Sequence, residues 1–264
     1  MIQRLLRPVV QLRDGETVTA LLMFAYSFLA MTSYNVIKPI TRSEFISSLG
    51  ADNLPWVQFG SGIIIGLLMQ AYTKAIAVVP RKWTIPVTQA GMVALLVAFW
   101  VMFQTFGPRW VSVGFYLLSL ILGVLLISQF WTLANDIYDP RQAKRMFGFI
   151  GGGSSLGGAM GASLTAFLVQ RLGTQAMLLV SAAIMAGCFA IVVAVVRREE
   201  RAGASDAAKA GEEEGVGGGE AIALLRSSRH LQIIAAVIAF AAIGAAIIEQ
   251  QLYMATAESK GATN

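Results

Sequence analysis

Seven long apolar segments dominate this sequence, and they constrain its fold more than any other feature. Each is about 20 residues or longer, the length that a helix needs to cross a bilayer core about 30 Å thick. The segments are Thr17–Ile37, Leu54–Val79, Thr84–Phe106, Trp110–Asn135, Met146–Gln170, Gln175–Val196 and Leu231–Tyr253. Only 13% of the residues are charged, against about 25% in soluble domains. In none of the segments do apolar and polar residues alternate as they do in the strands of a membrane β-barrel, so the sequence predicts an all-α membrane protein.

The lysines and arginines are distributed unevenly between the loops. With a cytoplasmic N-terminus, fifteen of the twenty lie on the cytoplasmic side, and the others are Lys38, Arg42, Arg109, Arg171 and Lys260. Because positive residues accumulate on that side, we predict a multi-pass protein of the cell membrane, in bacteria the inner membrane, with its N-terminus in the cytoplasm. Membrane anchoring explains the net charge of +5, so we expect the lipid bilayer as a partner and no nucleic acid.

The region 197–229 differs from the rest because it is charged, rich in Ala and Gly, and has no apolar period. We interpret residues 1–196 as a six-helix transmembrane bundle, 197–229 as a flexible cytoplasmic linker, and 230–264 as a seventh transmembrane helix. This layout resembles the major facilitator architecture, in which two six-helix halves each contain a 3+3 inverted repeat. The resemblance implies that the chain is an N-terminal half, and that its seventh helix begins a missing C-terminal half.

Polar residues are concentrated in the first and fourth spans. They are Tyr26, Ser27, Thr32, Ser33, Tyr34 and Asn35 in the first, and Ser119, Ser128, Gln129, Thr132 and Asn135 in the fourth. Polar groups in a membrane face the bundle interior or a wet cavity, so we expect these two helices to line a central path. We predict that Tyr34, Asn35 and Asn135 contact a substrate there. The third and sixth spans are almost continuously apolar and suit a lipid-facing position.

Glycines recur every four residues in the fifth span, at Gly153, Gly157 and Gly161. Small residues at this spacing predict close contact between membrane helices. A phosphate-binding loop would need a different glycine spacing and a preceding strand. The chain has a single His, His230, and a single Cys, Cys188, and it contains no recognisable hydrolytic triad. We therefore predict no metal site, no cofactor and no enzymatic activity.

Charged residues near the ends of the spans are the remaining candidates for a site. Lys38 and Arg42 follow the first span on the outer side, against the charge trend, where they either bind an anionic substrate or pair with Glu44. Glu249 in the seventh span either binds a substrate or a proton, or is an interfacial acid. A cluster lies between the fourth and fifth spans, where it anchors the bundle, gates it through ion pairs or contacts the anion directly. This cluster is Asp136, Asp139, Arg141, Lys144 and Arg145.

The segment Phe130–Gly153, FWTLANDIYDPRQAKRMFGFIGGG, resembles the nucleotide translocase family of ATP/ADP antiporters. The matching residues are Phe130, Trp131, Ala134, Asn135, Ala143, Lys144 and Arg145. The segment after the first span is similar as well, with Tyr34 followed by Lys38 and Arg42, where the family often reads Arg-x-x-Lys-Asp. The resemblance implies a major-facilitator-like exchanger of ATP and ADP that works by alternating access. It implies Lys38 and Arg42 as phosphate contacts, with Asn135, Lys144 and Arg145 in secondary roles.

Two other functions stay open at this point. One is a proton-coupled exporter of another solute, for which Glu249 is the candidate proton carrier. The other is a membrane module that binds partners without transporting anything.

Overall fold

The computed structural model describes residues 16–50, 53–76, 79–106, 108–201 and 218–261, and all regular structure in these ranges is helical. The helices are α1 (Glu16–Leu49), α2 (Leu54–Ile76), α3 (Arg81–Thr105), α4 (Pro108–Ile137), α5 (Pro140–Leu172), α6 (Ala176–Arg201), α7 (Gly218–Ser227) and α8 (Arg229–Gly261). The chain divides into two compact units, Met1–Ser205 and Asp206–Asn264. Helices α1 to α6 belong to the first unit, and α7 and α8 belong to the second.

Helix α1 is longer than the sequence predicts. It continues for twelve residues beyond Ile37, through Pro39, and ends at Leu49. A proline is tolerated in a membrane helix when neighbouring groups replace the lost hydrogen bond, and here Ile40 and Phe45 remain buried in the bundle beyond it. The predicted end of the first span at Ile37 is therefore not the end of the helix.

Five described helices are long and apolar enough to cross a membrane. They are Glu16–Leu49, Trp83–Thr105, Arg109–Ile137, Ala176–Arg198 and Arg229–Ile248. Helix α5 spans 33 residues but is not among them, because its many glycines and serines lower its hydropathy. Several side chains of α2 lie outside the described part of the structure.

Helix α1 is the centre of the first unit. It packs along α5, α6 and α4, whereas α3 packs mainly against α6. Contacts between α1 and α5 advance together along both helices, from Ser27 with Ile150 to Thr32 with Gly157, so these two helices run parallel. Contacts between α1 and α4 run in opposite directions, and α2 has only a small contact with α4.

Helices α3 and α6 each combine a buried stripe with an exposed apolar face. On α3 the buried residues include Met92 and Leu96, while Val97 and Val101 are exposed. On α6 the buried stripe includes Met185 and the lone Cys188. An apolar face of this kind is compatible with contact to lipid.

The region 197–229, predicted to be a flexible linker, contains helical segments. Helix α6 continues to Arg201, and residues 218–227 form α7, whose sequence GGEAIALLRS contains good helix formers. Residues 202–217 lie outside the described ranges.

Candidate functional site

The contact between α1 and α5 is a backbone-to-backbone approach. A Cβ atom at Gly157 would overlap the Phe28 carbonyl oxygen, and one at Gly161 would lie 2.5 Å from the Thr32 carbonyl oxygen. A Cβ atom at Gly153 would likewise overlap the Ser27 hydroxyl. All three glycines are buried, and their spacing presents one smooth strip of α5 to α1.

Hydroxyl groups of α1 reinforce this contact. Ser27 Oγ donates to the Ile150 carbonyl at 2.7 Å, and Thr32 Oγ1 lies 3.1 Å from the Gly157 carbonyl oxygen. Ser33 Oγ lies 2.7 Å from Ser181 Oγ of α6. These three side chains are buried, and Ser27 also lines a cavity between α1, α4 and α5. The expectation that α1 and α4 line a central path stays a prediction. In a membrane a hydroxyl gains more from a neighbouring carbonyl than from an apolar surface.

The two cations predicted to follow the first helix lie inside α1 instead, because the helix continues past Pro39. Lys38 is half-buried, and Arg42 is buried at 7% exposure. Lys38 is two helical turns beyond Met31 and therefore shares its face of α1. The proposed role of these cations in substrate binding stays a prediction.

The other predicted substrate contacts on α1, Tyr34 and Asn35, pack against neighbouring helices. The ring of Tyr34 packs against α4, where a Cβ atom at Gly123 would lie 2.8 Å from it. Asn35 Nδ2 donates to the Met31 carbonyl at 2.9 Å, and its Cβ lies beside Gly161. Asn135 is exposed near the end of α4. The side chain of Glu249 lies outside the described residues, and all four stay predicted substrate contacts.

The charged junction between α4 and α5 begins with a helix cap. Asp139 Oδ1 accepts hydrogen bonds from the backbone amides of Arg141 and Gln142, both at 2.8 Å, and Gln142 Oε1 accepts from the Asp139 amide at 3.2 Å. Pro140 follows at the first helical position, where its missing amide hydrogen does no harm. The bond from the Gln142 amide is the main reason that the pKa of Asp139 lies below its usual value.

An ion pair joins this junction to the start of α1. Arg145 Nη2 lies 3.2 Å from Glu16 Oε1, and Gln142 Nε2 donates to the same oxygen at 3.2 Å. The other charged residues of the junction, Asp136, Arg141 and Lys144, are exposed. The Glu16–Arg145 pair lies within the first unit, and a gating role for the junction stays a prediction.

A buried polar network links α1, α2, α3 and α4. Gln89 Nε2 lies 3.1 Å from Tyr26 Oη and 3.2 Å from Gln129 Oε1. Gln129 Nε2 lies 3.5 Å from Tyr72 Oη, which is 2.8 Å from Thr88 Oγ1. Gln89 was not among the predicted site residues, because the third span is almost continuously apolar. Two adjacent polar residues, Thr88 and Gln89, in an apolar span were the available signal.

A cavity of about 190 Å³ opens between α1, α4 and α5. Its lining includes Ser27 and Met31 of α1, Trp131 of α4, and Gly151 and Ser154 of α5. Most of its surface is apolar. In the part of the chain that the structure describes, no group of three or more His, Cys, Asp and Glu residues could hold a metal ion.

Helical geometry places the candidate polar residues around this cavity. Asn135 lies one turn beyond Trp131, toward the start of α5, and Lys144 lies two turns before Gly151. Lys38 lies two turns beyond Met31. Because α1 and α5 run parallel, Lys38 and Lys144 lie toward opposite ends of the cavity. The cavity therefore has a cation beyond each end, on the same helix faces that line it.

The comparison with known protein families matches this chain over most of its length. Residues 20–262 match the family model of the Major Facilitator Superfamily. Neither a curated protein nor a solved structure matches the chain. The family match agrees with the helical bundle and with the apolar spans, and members of this superfamily are membrane transporters. The chain therefore belongs to the major facilitator superfamily.

Proposed function

We propose that this protein exchanges organic anions across the membrane by alternating access, and that ATP and ADP are its substrates. One observation carries the proposal. Among the residues that give the sequence its nucleotide translocase resemblance, Trp131 lines the cavity, and Asn135, Lys144 and Lys38 follow one to two turns farther along the helices that line it.

Alternating access supplies the mechanism. In this architecture one helix bundle rocks against the other around a fixed site near the middle of the membrane. The cavity between α1, α4 and α5 would be the contribution of this bundle to that site. Lysine is well suited to bind phosphate as a point charge, and a cation beyond each end of the cavity would receive the phosphates from either side.

The charge of Lys38 is the most direct test of this site. A charge-assisted hydrogen bond contributes about 1.5–3 kcal/mol, so Lys38→Ala should lower the uptake of labelled ATP into ADP-loaded liposomes about tenfold or more. Arg42→Ala should also reduce uptake, although its burial calls for a check of folding. Arg171→Ala is the matched control, because Arg171 lies near the end of α5 and packs over the Phe167 ring.

Membrane insertion and thermal unfolding of each variant separate a lost site from a lost fold. Lys38→Arg keeps the charge and should keep most of the uptake. Full uptake by both Lys38→Ala and Arg42→Ala would remove these residues from the site. If the folded wild-type protein takes up no ATP when ADP is inside, nucleotides are excluded as its substrates, and the solute remains to be identified.

A further inference from the structure

We infer that the cavity between α1, α4 and α5 holds a planar aromatic ring of the transported anion, stacked on Trp131. This inference rests on the proposed function and adds a specificity determinant to it. The ring would lie in the cavity, and the anionic tail would bind Lys38 or Lys144, which lie beyond the two ends of the cavity. The substrate class is an anion whose charge lies about 10 Å from an aromatic ring, a separation set by two turns of helix.

Trp131 provides the surface for stacking. Its side chain is 42% exposed although it lines a cavity within the bundle. Phe130 and Phe147 hold the indole at centroid distances of 5.2 and 5.1 Å, with interplanar angles of 69° and 68°. Both rings stand steeply to the indole, and no aromatic ring of the described residues lies parallel to it. The position for parallel stacking is thus open on a side chain whose orientation is fixed by its neighbours.

Gly151 of α5 also lines the cavity. Unlike Gly153, Gly157 and Gly161, it has nothing within 4 Å of the position that a Cβ atom would occupy. Glycine is unfavourable inside a helix, and no close helix contact accounts for it here. A larger side chain at Gly151 would instead project into the cavity, so the glycine keeps space that a ring can fill.

The charges explain why an anion with a ring fits better than an apolar solute. Lys38 and Lys144 each lie about 10 Å from the cavity along their helices and in opposite directions. A ring held at Trp131 leaves a flexible anionic tail free to reach either cation.

The experiment uses the whole protein in lipid nanodiscs, with adenosine as an uncharged ring probe. Saturation-transfer NMR reports binding of the adenosine ring protons, even when it is weak. Two variants test the cavity: Gly151→Leu fills it, and Trp131→Ala removes the stacking surface. Gly91→Leu is the matched control, because Gly91 is another helical glycine with open space around it, but on α3. Thermal unfolding checks that each variant is folded.

We expect a clear adenosine signal from the wild type and from Gly91→Leu. Loss of base stacking on an aromatic side chain weakens binding about tenfold, so the signal should fall by at least that factor in Trp131→Ala and Gly151→Leu. Trp131→Phe should restore part of it. The inference is overturned if the wild type gives no signal, or if both cavity variants bind adenosine as the wild type does.

ATP uptake by the same proteins separates this inference from the proposed function. If the wild type binds adenosine through Trp131 but exchanges no ATP, the proposed function fails and the ring pocket stands. If the wild type exchanges ATP and both cavity variants do so equally well, the pocket fails and the proposed function stands.

Discussion

Helices α2 and α5 both contain several glycines, yet the two sets have opposite surroundings. Gly153, Gly157 and Gly161 of α5 press against the backbone of α1, whereas Gly60 and Gly66 of α2 have nothing within 4 Å. In the 3+3 repeat of this superfamily α2 and α5 are corresponding helices. Two helices that correspond in this scheme therefore pack differently here.

The difference comes from the partner helix. Helix α1 presents carbonyl groups and small hydroxyl side chains to α5, so the two backbones can approach and exchange hydrogen bonds. Helix α2 has only a small contact with α4. A glycine favours close helix packing only where a second backbone comes near enough to use the space, and no backbone does so at Gly60 and Gly66 of α2.

The largest expected effect is at the tightest point of the α1–α5 contact. Gly157→Ala would force the new Cβ atom into the Phe28 carbonyl oxygen, so the two helices must separate. Overpacking of this kind costs about 1–3 kcal/mol, and we expect the upper part of that range because the obstacle is backbone. Unfolding of the reconstituted protein with increasing denaturing detergent measures the change.

The adjacent residue is the control for this substitution. A Cβ atom at Gly158 would lie 3.6 Å from Asn35 Nδ2, which is ordinary van der Waals contact. Gly158→Ala should therefore be neutral or slightly stabilising. Equal destabilisation by the two variants would show that α1 and α5 do not pack through this row of glycines.

A smaller loss of stability is expected when a hydroxyl hydrogen bond across the same contact is removed. Thr32→Val removes the hydrogen bond to the Gly157 carbonyl, and interhelical bonds in membranes average about 0.6 kcal/mol, with a maximum of about 1.7 kcal/mol. Thr105→Val is the control, since its hydroxyl bonds only to carbonyls of its own helix. A loss no larger than that of the control would mean that the hydroxyl contributes nothing to the α1–α5 contact.

A glycine substitution in α2 should raise the stability of the protein instead of lowering it. Gly66→Ala adds a methyl group into open space and improves helix propensity, which should stabilise the protein by about 0.5–1 kcal/mol. The same unfolding measurement applies. Destabilisation by Gly66→Ala would reveal a close partner of α2 and would remove the contrast between the two helices.

Much of the fold was predictable because hydropathy and length identify membrane helices directly. Each of the seven predicted spans corresponds to one described helix, although the last residues of the second span, Phe106 of the third and Gln175 of the sixth lie beyond the bounds of those helices. The length of α1 was not predictable, because Pro39 usually marks a boundary and only the packing of Ile40 and Phe45 shows that the helix continues. The sequence alone does not show which packing contacts compensate for a proline inside a helix.

The site was predictable only in part, for a related reason. The motif around Trp131 and Lys144 could be seen in the sequence, but the cavity is lined by residues of three helices, and their packing cannot be read from the motif. The hydroxyls of Ser27 and Thr32 were expected on a polar path; both bond to carbonyls of α5, and Ser27 also lines the cavity. Polar residues of a membrane helix have two uses, solute contact and helix contact, and composition does not distinguish them.

The most direct test of this account asks whether the α1–α4–α5 face meets water while the outer face of α3 does not. Single cysteines at Ser128 of α4 and Val97 of α3, both exposed positions, would be introduced in a Cys188→Ala background. A membrane-impermeant thiol reagent reacts with the thiolate, which forms in water and not in lipid. We predict that Ser128→Cys is labelled from both sides of the membrane and Val97→Cys from neither. Labelling of Val97→Cys as fast as Ser128→Cys, or no labelling of Ser128→Cys from either side, would contradict the account.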